Sequence, residues 1–107
     1  MGLPSYVRPD DAAIAKALVN AALERGCVVS VNDSEEWVVT RSSDKDAILS
    51  ALASTDSDSV VVRGGGDKAA FWLVYGNGDG TTIADYSGGL LANELYEAVR
   101  PVMDRFQ

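Results

Sequence analysis

Apolar residues recur along this chain at two periods, and the changes between them outline its elements. Ile14, Leu18 and Ala22 stand four residues apart with Ala21 beside them, the spacing of one helical face. Asp10 precedes this stripe at an N-cap position, Asp11 falls in the first turn where the helix dipole favours an anion, and Gly26 is placed to end the helix. The pattern predicts a helix over 11–25. Cys27–Val31 and Trp37–Arg41 are β-rich runs separated by the polar stretch Asn32–Glu36, a hairpin signal. Ser42 or Ser43 then offers an N-cap, with Asp46 at the capping-box position relative to Ser43, and Ile48, Leu49 and Leu52 give a second helix its stripe. That helix frays into Ser54–Asp58, a turn-rich polar segment.

Three further strands are predicted over Ser59–Arg63, Lys68–Tyr75 and Thr81–Tyr86. Gly64-Gly65-Gly66-Asp67 and Gly76-Asn77-Gly78-Asp79-Gly80 join them with residues that tolerate the positive φ of hairpin turns. After Gly88-Gly89, the stripe Leu91, Leu95, Val99 and Val102 marks a last helix, in which Pro101 predicts a kink or restart near Arg100. The order α-β-β-α-β-β-β-α, with short links between consecutive strands, predicts an α+β fold. We expect a mainly antiparallel sheet of about five strands with helices on one face. Residues 1–9 read as a loose lead-in and 10–107 as a single domain. The expected core comprises Ile14, Leu18, Val29, Val39, Ile48, Leu52, Val61, Leu73, Leu95 and Val99.

Composition narrows the chemistry. The 107 residues suffice for one core, and 47% apolar with 23% charged residues is the balance of a globular domain. No histidine is present, which removes the commonest general base and zinc ligand, and with it Ser-His and Cys-His catalysis. Cys27, the single cysteine, has no partner for an internal disulfide and is expected to be a small buried hydrophobe. No apolar run approaches the roughly 20 residues of a membrane span, and Met1–Pro9 lacks a secretory pattern, so a cytosolic location is expected. The glycine clusters lack the spacing of a phosphate loop, a dinucleotide fingerprint or a calcium loop, and read as plain turns. Neither a catalytic residue nor a metal site nor a cofactor is expected.

The net charge of −7 argues against direct contact with nucleic acid or an anionic membrane and favours a basic partner. Its distribution is uneven, because Asn32–Asp58 carries −5 of it. Asp33, Glu35, Glu36, Asp44, Asp46, Asp56 and Asp58 are either solvated loops and helix caps or one acidic face for a basic protein surface. Trp37 and Trp72 lie in predicted strands, where packing in the core or on a sheet face competes with stacking on a ligand, and Tyr86 is the third candidate for stacking.

Ser30-Val31-Asn32-Asp33-Ser34-Glu35-Glu36-Trp37, Arg41-Ser42-Ser43-Asp44, Ala53-Ser54-Thr55-Asp56, Val74-Tyr75-Gly76-Asn77-Gly78 and Ile83-Ala84-Asp85-Tyr86-Ser87 resemble a set of small acidic proteins encoded by bacteriophages and prophages. The resemblance covers about residues 28–87, contains no catalytic motif, and departs at Ser34, where glycine is expected. It implies a setting in which an accessory protein binds and blocks host defence or transcription machinery. The expected function is therefore that of a non-enzymatic inhibitor, in its sharpest form an anti-CRISPR protein, acting in the host cytosol through the acidic residues. A homodimer is compatible with this reading. The alternative is a small-ligand sensor or sponge in which Trp37, Trp72 or Tyr86 stacks on the ligand.

Overall fold

The computed structural model describes residues 3, 6–76 and 81–106. Helix α1 (Pro9–Glu24) opens two residues earlier than the Asp10 cap predicts, with Arg8 at the cap position. Pro9 sits at the first helical position, where its fixed φ is already helical and its missing N–H leaves no orphan donor. Asp10 and Asp11 thus lie within the first turn, and both are buried. Gly26, at φ 76, ends the helix in a Schellman turn: its N–H donates to Leu23 O at 3.0 Å while Cys27 N–H donates to Ala22 O at 3.1 Å.

Strands β1 (Val28–Asn32) and β2 (Trp37–Ser42) form the first hairpin, and helix α2 (Lys45–Ala51) follows. The cap of α2 is neither Ser42 nor Ser43 but Asp44, whose carboxylate accepts from the N–H groups of Asp46 at 3.0 Å and Ala47 at 3.3 Å. An ionised cap satisfies two orphan donors and also complements the helix dipole, an advantage no serine offers. Strands β3 (Ser57–Gly64), β4 (Asp67–Val74) and β5 (Ile83–Tyr86) precede helix α3 (Leu90–Asp104). The turn predicted over Gly76–Gly80 lies outside the described residues from Asn77 onward.

The element order is the one the sequence pattern predicts, and the fold is α+β. Five strands, all pairing antiparallel, are arranged β2-β1-β3-β4-β5. The hairpin carries β2 to the sheet edge, and α2 returns the chain so that β3 can pair with the other side of β1. Helix α1 packs between α2 and α3, and the three helices cover one face. Val29, Val31, Val60, Val62, Phe71 and Leu73 meet Ile14, Leu18, Ile48, Leu52, Leu95 and Val99 there, all at most 1% exposed. Each such side chain contributes roughly 1.5–3 kcal/mol by leaving water.

Three expectations change on contact with the structure. Val61 faces outward, because β3 takes the phase that buries Asp58, Val60 and Val62. Pairing Val62 with Val29 and Val60 with Val31 aligns four valines on the helix side. Val39 does pack against the core but is only half-buried, since β2 is an edge strand with one neighbour. Helix α3 does not restart at Arg100; it continues through Pro101 to Asp104, its buried stripe running Leu91, Ala92, Leu95, Val99 and Met103, with Val102 half-buried beside it. Pro101 is exposed and lies in the last turn, so only one internal backbone bond is forfeited. Nor is the described part of the lead-in loose: Leu3 packs on the core and the Tyr6 hydroxyl donates to Ala53 O.

Candidate functional site

The opposite face of the sheet carries no helix, and its side chains follow from the strand registers. Trp37 of β2 pairs with Asn32 of β1, Asn32 with Ser59 of β3, Ser59 with Trp72 of β4, and Trp72 with Asp85 of β5. One lateral row therefore crosses the whole sheet. Trp37 and Trp72 stand in it 49% and 51% exposed, three strands or roughly 14 Å apart at the usual strand spacing. Between them in the row lie Asn32 and Ser59, and the neighbouring row carries the small side chains Ser30, Val61 and Ala70, so the two indoles border a shallow trough. Trp72 also walls a recess of ≈ 220 Å³ on its β5 side, with Ser59, Ala70, Asp85 and Ser87. Both tryptophans thus stand on the sheet face and not in the core. Tyr86 is not equivalent to them. Its ring stacks on Phe71 at 6.0 Å and on Tyr96 at 4.5 Å, and it is half-buried at the margin of the recess that Trp72 walls.

The seven acidic candidates divide into three groups. Asp33, Glu35 and Glu36 form the β1–β2 turn, and Asp56 lies in the α2–β3 loop. The Thr55 hydroxyl joins these segments, lying 2.7 Å from Ser57 O and 3.3 Å from Asp33 O. The turn carboxylates thus stand beside Trp37 with the α2–β3 loop against them, while Asp56 in that loop lines a recess with Tyr6, Arg8, Asp11 and Tyr75. Asp44 and Asp46 begin α2 at the far end of β2, a six-residue strand spanning roughly 17–20 Å, and belong to a separate place. Asp58 is excluded from any surface: it is 1% exposed, on the helix side of β3. A continuous acidic face from all seven does not form, because β2 separates the turn from the helix start and the phase of β3 turns Asp58 inward.

Within the turn the residues differ in what they are free to do. Asp33 Oδ1 accepts from the N–H groups of Glu35 and Glu36, each at 3.0 Å, and Asp33 N–H donates to Glu36 O at 3.1 Å. The N–H bonds from Glu36 and Glu35 hold its carboxyl below the ordinary 3.8, so it stays ionised and shapes the turn. Ser34 completes the turn at φ 86, a conformation glycine adopts more readily. Glu35 and Glu36 are exposed, and among the described residues their carboxylates make no such backbone contacts, which leaves them to face a partner.

Buried carboxylates were not legible as such in the sequence. Asp11 accepts from Thr82 Oγ1 at 2.6 Å and from Gly76 N–H at 2.8 Å, tying the start of α1 to the β4–β5 connection. Asp58 Oδ2 accepts from Ala53 N–H at 2.8 Å and Tyr75 OH at 2.6 Å, fixing the loop after α2, while burial pushes its carboxyl above 3.8. Tyr75 is likewise pushed up, by burial and by the adjoining carboxylate, and stays protonated as the donor. These groups brace loops, and Asp11 and Tyr75 also line, with Tyr6, Arg8 and Asp56, the recess named above, of ≈ 160 Å³. Cys27 is buried. Among the described residues no group of three or more His, Cys, Asp or Glu side chains is placed to hold a metal ion, and no helix is long and apolar enough to cross a membrane.

No protein-family model, curated protein or solved structure matches the chain.

Proposed function

We propose that the chain is a non-catalytic protein-binding domain that takes a basic segment of a partner against the turn end of its helix-free face. The observation that carries this reading is the grouping of Asp33, Glu35 and Glu36 in one turn beside the half-exposed Trp37. Exposed carboxylates steer a basic surface toward this end and set its orientation. Trp37 then supplies what charge alone does not, a rigid apolar anchor that also accepts an Arg or Lys over its ring. Trp72, further along the same row, extends the contact across the trough. Asp44, Asp46 and Asp58 take no part.

The resemblance to phage-encoded proteins gives this chemistry its setting. In that setting the partner is a nucleic-acid-handling or defence protein of a bacterial host, whose basic groove the acidic end occupies in place of a phosphate backbone. The domain then acts as an anti-CRISPR-like inhibitor in the host cytosol. The test is capture from host lysate with three baits: the wild type, Glu35→Lys/Glu36→Lys and Trp37→Ala. A basic protein retained by the first and lost by the other two supports the reading, and identical captures by all three overturn it.

A further inference from the structure

The helix-free face is electrically two-ended. Opposite the acidic turn, Arg41 of β2, Arg63 of β3 and Lys68 of β4 stand on it. Arg63 and Lys68 are direct partners in the β3–β4 register, a position where like charges repel. The chain has sixteen acids for nine bases, so a carboxylate for each cation is plentiful. Among the described residues the ion pairs belong to Arg8, Arg25 and Arg100, and these three cations, like Lys16, Lys45 and Arg105, have none. Arg63 Nε is moreover buried and has no hydrogen-bond acceptor, an arrangement that costs stability unless something fills it.

The backbone around Arg41 is also unusual. Val29 pairs with Ser42 and Val31 with Val39, so Thr40 and Arg41 together oppose Ser30 in a β-bulge. Arg41 sits at φ 46, a strained region for a residue with a Cβ, and its N–H is held by Ser30 Oγ at 2.8 Å. Bulges of this kind re-aim a side chain. Here Arg41 lines, with Arg63, Ser30, Thr40 and Trp37, one recess of ≈ 190 Å³.

We propose that this recess binds a small phosphate-bearing molecule with a planar ring, of which a nucleoside monophosphate is the minimal form. Two guanidinium groups without carboxylate partners match a phosphate, which each can take through paired N–H donors. Ser30 Oγ already accepts from Arg41 N–H, which leaves its own hydrogen to donate to a phosphate oxygen. Trp37, half-exposed at the edge of the recess, offers its face to the ring. A free nucleotide fits better than a strand, because a net charge of −7 repels a polyanion over its length while two arginines suffice for one phosphate.

Amide and indole NMR titrations of the full chain test this with four probes: adenosine monophosphate, ribose phosphate, inorganic phosphate and a single-stranded oligoadenylate. Saturable shifts with adenosine monophosphate at Ser30, Arg41, Arg63 and the Trp37 indole are expected, with weaker binding of the two probes that lack a base. Arg41→Gln and Arg63→Gln should each lower affinity by about tenfold, the loss of a charge-assisted bidentate contact. Trp37→Ala should erase the preference for adenosine monophosphate over ribose phosphate, and Lys16→Gln on the helical side should change nothing. The dispersion of each variant's spectrum reports that it is folded. Absence of saturable shifts at millimolar nucleotide, unchanged affinity in folded Arg63→Gln, or tighter binding of the oligonucleotide than of the mononucleotide would overturn the proposal.

Discussion

Tyr75 donates its hydroxyl hydrogen to Asp58 across 2.6 Å in the interior, and the same carboxylate oxygen accepts from Ala53 N–H at 2.8 Å. Burial outweighs these bonds and raises the Asp58 carboxyl above its ordinary 3.8. The folded protein therefore holds this proton more tightly than the unfolded chain does. The stability this group contributes is full below pH 3.8 and is lost as pH rises through the raised folded value. Relative to Asp58→Asn, which cannot titrate, the wild-type melting temperature should fall as pH is raised across that window. Carboxyl carbon NMR reads the titration directly; a midpoint for Asp58 at or below 3.8 contradicts the argument.

Leu52 and Leu95 are wholly buried at the meeting of helices and sheet, so replacing either by alanine should cost roughly 2–5 kcal/mol. The sharper comparison is between two adjacent valines. Val62 is buried under the helices and Val61 lies on the open face, so Val62→Ala should lower the urea midpoint clearly more than Val61→Ala. Equal losses would mean that β3 is out of phase by one residue.

Gly64 approaches Cys27 so closely that an added Cβ would fall 2.6 Å from its Sγ and 3.2 Å from its Cα. Gly64→Ala should thus destabilise through a clash between the end of β3 and the start of β1. Cys27→Ala removes the nearest atom, so the double variant should recover part of the loss, a coupling readable from a double-mutant cycle by urea unfolding. Strict additivity would show that the strain arises elsewhere.

The pattern of apolar positions carries the element order because each element buries one face, and the period of that face is set by its backbone geometry. It stops carrying information where apolar residues run unbroken. Val60-Val61-Val62 leaves the strand phase open on its own; the phase adopted buries two valines and keeps Arg63 off the helix side, and the inward Asp58 it entails is accommodated by Tyr75 and Ala53. The acidic candidates show the same limit: their grouping depends on which strand ends meet, and the Thr55–Asp33 contact that joins the α2–β3 loop to the turn spans twenty-two residues. Arg41, Arg63 and Lys68 had no signal at all in a chain of opposite net charge, since only the β-bulge and the β3–β4 register bring them to one end of the sheet.

The proposed acidic contact makes a prediction about place as well as charge. Asp33 is a poor residue to reverse, because its carboxylate builds the turn, and its loss would confuse folding with binding. Glu35 and Glu36 are exposed and lack that role, so Glu35→Lys/Glu36→Lys alters the surface with little effect on stability. Glu24→Lys/Asp104→Lys, on exposed positions of α1 and α3, changes net charge identically but away from the open face. If the partner docks at the turn end, the first variant should slow association strongly and the second only slightly. The difference should shrink as salt is raised, since exposed charges are screened over about 8 Å at physiological ionic strength. Trp37→Ala should instead speed dissociation with little salt dependence, because its contribution is apolar contact. Association and dissociation rates measured by surface plasmon resonance at low and moderate salt separate these effects. Equal association rates for the two charge variants at both salts would mean that the turn is merely solvated, and the docking site would have to be sought elsewhere on the molecule.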